Sequence, residues 1–193
     1  MPDRARDLQS GCALEYPAVM GFRDFDTRLA AYCVIVEPRD GQEHVLLSML
    51  RAGNTRWGSM WTLPGGGVEY DEGFEAAAIR EVREETGYDA RLTGMLGART
   101  FTPRSQGGTR DPRPFKSAAV LFEAEVTGGQ LGTLEVDGST EFAAWVPLAD
   151  VMPRREPGEV PRDHTSEGPY LSREGVRVMS TVGYALDLWT RRH

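Results

Sequence analysis

The chain has 193 residues, about the length of one domain with extensions, and its 40% hydrophobic and 26% charged content excludes the disordered and collagen-like classes. Twenty-two basic against 29 acidic side chains give a net charge of -7, the wrong sign for holding the phosphates of DNA or RNA. Its longest apolar run, Leu29 to Val36, is far shorter than the roughly 20 residues a membrane-crossing helix needs, so the expectation is a single cytoplasmic domain without nucleic-acid or membrane partners.

In chain order, residues 1–15 mix both charge signs, lack the apolar centre of a secretory signal and read as a frayed tail. Leu29–Glu37 and His44–Arg51 are apolar, β-branched and leucine-rich; the turn-forming stretch Pro38-Arg39-Asp40-Gly41 between them predicts a hairpin. After Trp57 and Trp61 the chain breaks at Pro64-Gly65-Gly66-Gly67, a loop with unusual backbone freedom. Residues 71–86, DEGFEAAAIREVREET, predict a helix ended by Gly87. Ala90–Thr100, Lys116–Thr127 and the short Phe142–Val146 read as strands. The Gly-, Pro- and Arg-rich stretches 103–114 and 153–169 read as loops long enough to cover a pocket, and 173–190 as a final amphipathic helix. Strands, helix, strands, helix suggest a mixed α/β sandwich.

Cys12 and Cys33 stand far apart without metal-ligand spacing, and His44, His164 and His193 are equally scattered, so neither residue type suggests a site. Lys116 is the only lysine; nearly all positive charge is on guanidinium groups suited to bidentate contacts with phosphate or carboxylate. An acidic chain that binds a small polyphosphate needs a divalent cation to screen carboxylate from phosphate.

The predicted central helix has the means to hold one. Glu81, Glu84 and Glu85, at i, i+3 and i+4, fall within an arc of about 100°. Like charges so placed repel unless a hard cation bridges them, and oxygen-only ligation suits Mg²⁺, Mn²⁺ or Ca²⁺. A solvated acidic face balanced by Arg80 and Arg83 satisfies the same spacing.

The surrounding pattern adds what spacing leaves open. Gly66, five residues, Glu72, seven residues, then Arg80-Glu81-Val82-Arg83-Glu84-Glu85-Thr86-Gly87-Tyr88 resembles the Nudix box, with Tyr88 where a bulky aliphatic residue is usual. Trp61-Thr62-Leu63-Pro64-Gly65-Gly66 and Trp145-Val146-Pro147-Leu148 are similar to the family's flanking segments. The resemblance implies an α/β/α sandwich with a mixed sheet that hydrolyses a nucleoside diphosphate linked to another group. By position it assigns Glu84, Glu85, Glu81 and the Gly65 carbonyl to the metal, Mg²⁺ or alternatively Mn²⁺. Glu81 matches a position that ligates metal or orients the attacking water, and Arg80 and Glu72 match a supporting pair. A further carboxylate outside the box often serves the family as base or ligand; Glu141 is the first choice, with Glu135, Glu156 and Glu159 as alternatives.

A base could stack on Phe101, Phe115, Trp57 or Tyr70, and Arg99, Arg104, Arg110 or Arg113 could hold a phosphate or ribose. Arg99, Phe101 and Arg104 are the selected substrate residues. Pro103, 15 residues beyond Tyr88, is similar in spacing to the proline of ADP-ribose pyrophosphatases. ADP-ribose or a nucleotide sugar is thereby slightly favoured over a nucleoside triphosphate. The competing class is a non-catalytic nucleotide-binding or regulatory module of the same fold. The resemblance also makes a homodimer an expectation.

Overall fold

The computed structural model describes residues 21–54, 57–102, 114–134, 138–154, 164–165 and 168–193. The apolar run beginning at Leu29 does not stay in one strand. It divides at Ile35 into β1 (Asp26–Val34) and β2 (Val36–Arg39), which belong to different sheets. β2 turns through Asp40 and Gly41 into β3 (Gln42–Leu50), pairing Val36 with Val45, so the predicted hairpin is present but begins at Val36.

β1 lies inside the first sheet. The glycine strand β5 (Gly65–Gly67) flanks it antiparallel, with Ala31 opposite Gly66. On the other side it runs parallel to β7 (Phe115–Gly129). β6 (Tyr88–Phe101) pairs antiparallel with β7, and a two-residue strand β9 (His164–Thr165) closes the edge against Thr100 and Phe101. That strand lies within the stretch read as the loop 153–169. The second sheet joins β2 and β3 to β4 (Met60–Thr62), with β8 (Thr140–Pro147) also on β3. It continues through β11 (Arg177–Val178) to β10 (Tyr170–Leu171).

Helix α1 (Phe74–Thr86) starts after Gly73, its extended N-cap, not at Asp71, and is closed by Gly87, whose φ of 73° lets its N–H bond the Arg83 carbonyl. After the short α2 (Leu148–Val151), the final helix α3 (Ser180–Thr190) begins seven residues later than its sequence suggested. Val176, Val178 and Met179 precede it, because Tyr170–Leu171 turns back at Gly175 to pair with Arg177–Val178. Short-range apolar spacing there comes from a buried strand end, not a helix face.

Alternation along β1 sets the layers. Ala31 and Cys33, with Ile35 just beyond, face α1 and pack with Ala77, Ala78 and Val82; Val34, with Tyr32 packed against the same group, faces Leu121, Val182, Ala185 and Leu186 on the α3 side. The architecture is a mixed α/β sandwich with α1 and α3 on opposite sides. Cys33 is a buried free thiol pushed up to about 12 by burial. No helix among the described residues is long and apolar enough to cross a membrane.

Candidate active site

The site is built where the glycine strand meets α1. Arg80 is its hub. Its Nη2 and Nε take the two Glu72 oxygens at 2.6 and 3.2 Å, its Nη1 reaches Glu81 at 2.9 Å and Glu84 at 3.0 Å, and Nη2 also donates to the Gly67 carbonyl at 3.1 Å. The Glu72 bonds, ahead of those to Glu81 and Glu84, raise the Arg80 pKa against a smaller opposing effect of burial, and the same pairing lowers that of Glu72. One guanidinium therefore ties the turn before the helix, the glycine strand and two helix carboxylates into one unit. Arg83 is not part of it and pairs with Asp89 at 3.3 Å.

Glu85 departs from its neighbours. The spacing suggests three carboxylates facing one way, yet Glu85 is 2% exposed and turned into the seam between the sheets. Its Oε2 accepts from Ser48 Oγ at 2.9 Å and from the Gly65 N–H at 3.0 Å, and its Oε1 from Thr140 Oγ1 at 2.6 Å. By holding the Gly65 N–H it fixes the Pro64–Gly65 peptide, one unit before the Gly65 carbonyl. Burial pushes its carboxyl up to about 7, opposed by those three hydrogen bonds and helped by the charge of Glu81.

A raised acid pKa means the folded chain holds more protons than the unfolded chain between the two pKa values, so stability falls as pH rises from about 4.3 to about 7. Glu85→Gln keeps the shape and removes the charge. In EDTA, the urea midpoint of the wild type should drop relative to that of Glu85→Gln across this window and level off above it. A difference that stays constant or reverses sign would refute the assigned burial cost.

Glu81 is cradled by Gly66. A Cβ there would stand 2.5 to 2.7 Å from the Glu81 carboxylate, so only glycine lets this carboxylate lie against the strand. Among the described residues no three His, Cys, Asp or Glu side chains form a group able to hold a metal ion by themselves. The chemistry of the donors nevertheless fits Mg²⁺, which is commonly held by one or two carboxylates and keeps several waters. Glu81 and Glu84 share one nitrogen of Arg80, and Gly65 is in the adjacent strand. These are oxygen donors only, as a hard cation requires.

On the α3 side of β1 lies a cavity of about 170 Å³, lined by Arg28, Tyr32, Trp57, Arg99, Phe101 and Phe115 among others, with Met179, Ser180 and Thr181 at the start of α3; Tyr32, which pairs with Gly65, links it to the glycine strand. Of the residues picked from sequence, Arg99, Phe101, Phe115 and Trp57 meet here. Arg99 is 6% exposed and packs over the Tyr184 ring at 5.2 Å. Tyr70 is fully exposed on the turn before α1 and does not line the cavity. Glu141 is exposed and follows Thr140 where the pairing of β8 with β3 shifts register. Arg104, Arg110, Arg113, Pro103, Glu135, Glu156 and Glu159 lie outside the described residues, as does the tail 1–15.

Sequence reasoning missed Arg28, Tyr32, Ser48 and Thr140. Ser48 carried a signal, being a polar residue inside the apolar run Val45–Leu50, where a buried hydroxyl must find a partner. The others acquire their roles only when β1, β7 and β8 pair.

Comparison with known proteins is consistent with this geometry. The NUDIX domain model matches residues 26–167. A Bacillus subtilis protein provisionally named an 8-oxo-dGTP diphosphatase is 40% identical over 71 residues, 37% of this chain and 40% of its own. An ADP-ribose pyrophosphatase of Methanocaldococcus jannaschii is 32% identical over 94 residues, 49% of this chain and 52% of its own. The matches thus span about half or less of these relatives. A NUDIX hydrolase structure from Nitrosomonas europaea superposes with a TM-score of 0.50 at 23% identity, covering 64% of this chain and 74% of that one, a likeness of fold.

Proposed function

The chain belongs to the NUDIX domain family, and from that membership we propose that it is a divalent-metal-dependent hydrolase that cleaves the pyrophosphate bond of a nucleoside diphosphate linked to another group. One observation carries the reading: Arg80 gathers Glu81 and Glu84 against the glycine strand, and Tyr32, which pairs with Gly65 of that strand, lines a cavity of aromatic rings and arginines. Adjacent phosphoryl groups repel hydroxide. A cation on the carboxylates would neutralise that charge and acidify a bound water.

In this reading Glu81, Glu84 and the Gly65 carbonyl hold Mg²⁺, for which Mn²⁺ can substitute. Glu85 would add the one acceptor site that Ser48, Thr140 and the Gly65 N–H leave. Arg80 and Glu72 keep Glu81 and Glu84 in place against their mutual repulsion. Phe101 offers a stacking face to a base, and Arg99 and Arg104 supply hydrogen-bond donors to the remainder of the substrate. Glu141 is the proposed base, set beside Thr140 and so one residue from the Glu85 anchor.

We favour ADP-ribose or a nucleotide sugar over a nucleoside triphosphate, on the aromatic cavity and on the name of the Methanocaldococcus relative. The test is a panel of ADP-ribose, nucleotide sugars, NADH, dinucleoside polyphosphates and nucleoside triphosphates with Mg²⁺, scored for nucleoside monophosphate and its partner product. Turnover of ADP-ribose or a nucleotide sugar ahead of the triphosphates is expected. Preference for triphosphates would overturn the substrate choice, and turnover of none would overturn the reaction.

A further inference from the structure

Two guanidinium groups flank Gly67, and they differ in what they hold. Arg80, on one side, is fully engaged by Glu72, Glu81, Glu84 and the Gly67 carbonyl. Arg28, on the other, lies along the glycine, with Nε and Nη2 each 3.5 Å from where a Gly67 Cβ would stand. Arg28 is exposed and, among the described residues, makes no hydrogen bond or ion pair. In a chain with net charge -7 its guanidinium is open to an anion.

Its surroundings say which anion. Arg28 is four residues before Tyr32 on β1, so both side chains leave the same face, and both line the cavity. Burial keeps the Tyr32 hydroxyl above its usual range; the charge of Arg28 pulls it down while those of Glu85 and Glu81 push it up. Arg28 and the carboxylates thus act on one half-buried group, Tyr32, which pairs with Gly65 of the glycine strand and lines the cavity with Arg28. Arg28 borders both the cavity and Gly67, whose carbonyl Arg80 holds.

We propose that Arg28 forms a phosphate subsite at the mouth of the cavity, its planar donor fork taking two oxygens of the phosphoryl group on the nucleoside side of the pyrophosphate. The assignment rests on the reading above that the substrate is a nucleoside diphosphate derivative. It divides the binding of charge: the carboxylates and their cation meet the far phosphoryl group, and Arg28 meets the near one without a metal.

Calorimetric titration in EDTA with adenosine, AMP and inorganic pyrophosphate tests this on the protein alone. The wild type should bind AMP more tightly than adenosine and should bind pyrophosphate. Arg28→Gln should weaken AMP and pyrophosphate roughly 10- to 100-fold, the usual range for a lost charged hydrogen bond, and leave adenosine unchanged. Arg28→Lys should recover part of the loss, because it restores the charge without the fork. Equal affinities in wild type and Arg28→Gln overturn the subsite, as does a parallel loss for adenosine, which would make Arg28 a wall of the cavity. Wild type that gains nothing from phosphate, whether or not it binds adenosine, overturns the subsite; the proposed reaction falls only if the same protein turns over none of the substrate panel with Mg²⁺.

Discussion

Gly65→Ala should cost the fold about 3–5 kcal/mol, the range reserved for backbone strain and overpacking together, and should appear as a fall in the urea midpoint or as failure to fold. Gly65 has φ of 144°, which L side chains rarely adopt. A Cβ there would fall on the Ala31 carbonyl oxygen and within 2.6 Å of Tyr32 Cα and Cδ1. Two of these neighbours are backbone atoms of a strand paired on both sides, so they cannot yield. Moving Gly65 away instead would break its N–H bond to Glu85 and strand a buried carboxylate. Gly67→Ala is the control: its Cβ would meet Arg28 at ordinary contact distance, and little stability should be lost. A Gly65→Ala protein as stable as the wild type would contradict the packing described.

The second large effect is on turnover. Glu81→Gln should lower kcat by about 10²–10³-fold, the loss typical when one group stabilising developing charge is removed, with the fold intact. Glu81 is about one-eighth exposed, lies on Gly66 and shares Arg80 Nη1 with Glu84. The amide keeps the shape and one oxygen but loses the charge that holds a cation. Gly66→Ala attacks the same group from below by displacing its carboxylate, and a comparable loss should follow. Circular dichroism confirms that each variant is folded. Full activity in Glu81→Gln would remove Glu81 from the metal site.

Much of this was legible in the sequence because it is local. The Glu-, Ala- and Arg-rich run ending at Gly87 specifies α1, and the spacing Glu72 to Arg80 to Glu84 places the hub on one helix and the turn before it. Even there the helix start was misplaced. The Asp71-Glu72-Gly73 stretch reads as helix, yet Glu72 accepts from the Glu69 N–H at 2.9 Å and so closes a turn instead. The inward turn of Glu85 was not legible, since its partners Ser48 and Thr140 are 37 and 55 residues distant. At the C-terminal end, Val176 and Val178 mimic a helical stripe because one buried strand residue precedes a buried helix face. Arg28 gave no signal, since its place beside Gly67 exists only once β5 pairs with β1.

The central claim is that the carboxylates of α1, with the glycine strand, hold a divalent cation where a phosphoanhydride is split. The direct measurement is anomalous scattering from crystals soaked in Mn²⁺. A peak within about 2.0–2.6 Å of Glu81 or Glu84 oxygens and the Gly65 carbonyl, lost in Glu81→Gln, is the result expected. Ordered crystals with no peak at these oxygens, from protein that still consumes substrate, would contradict it.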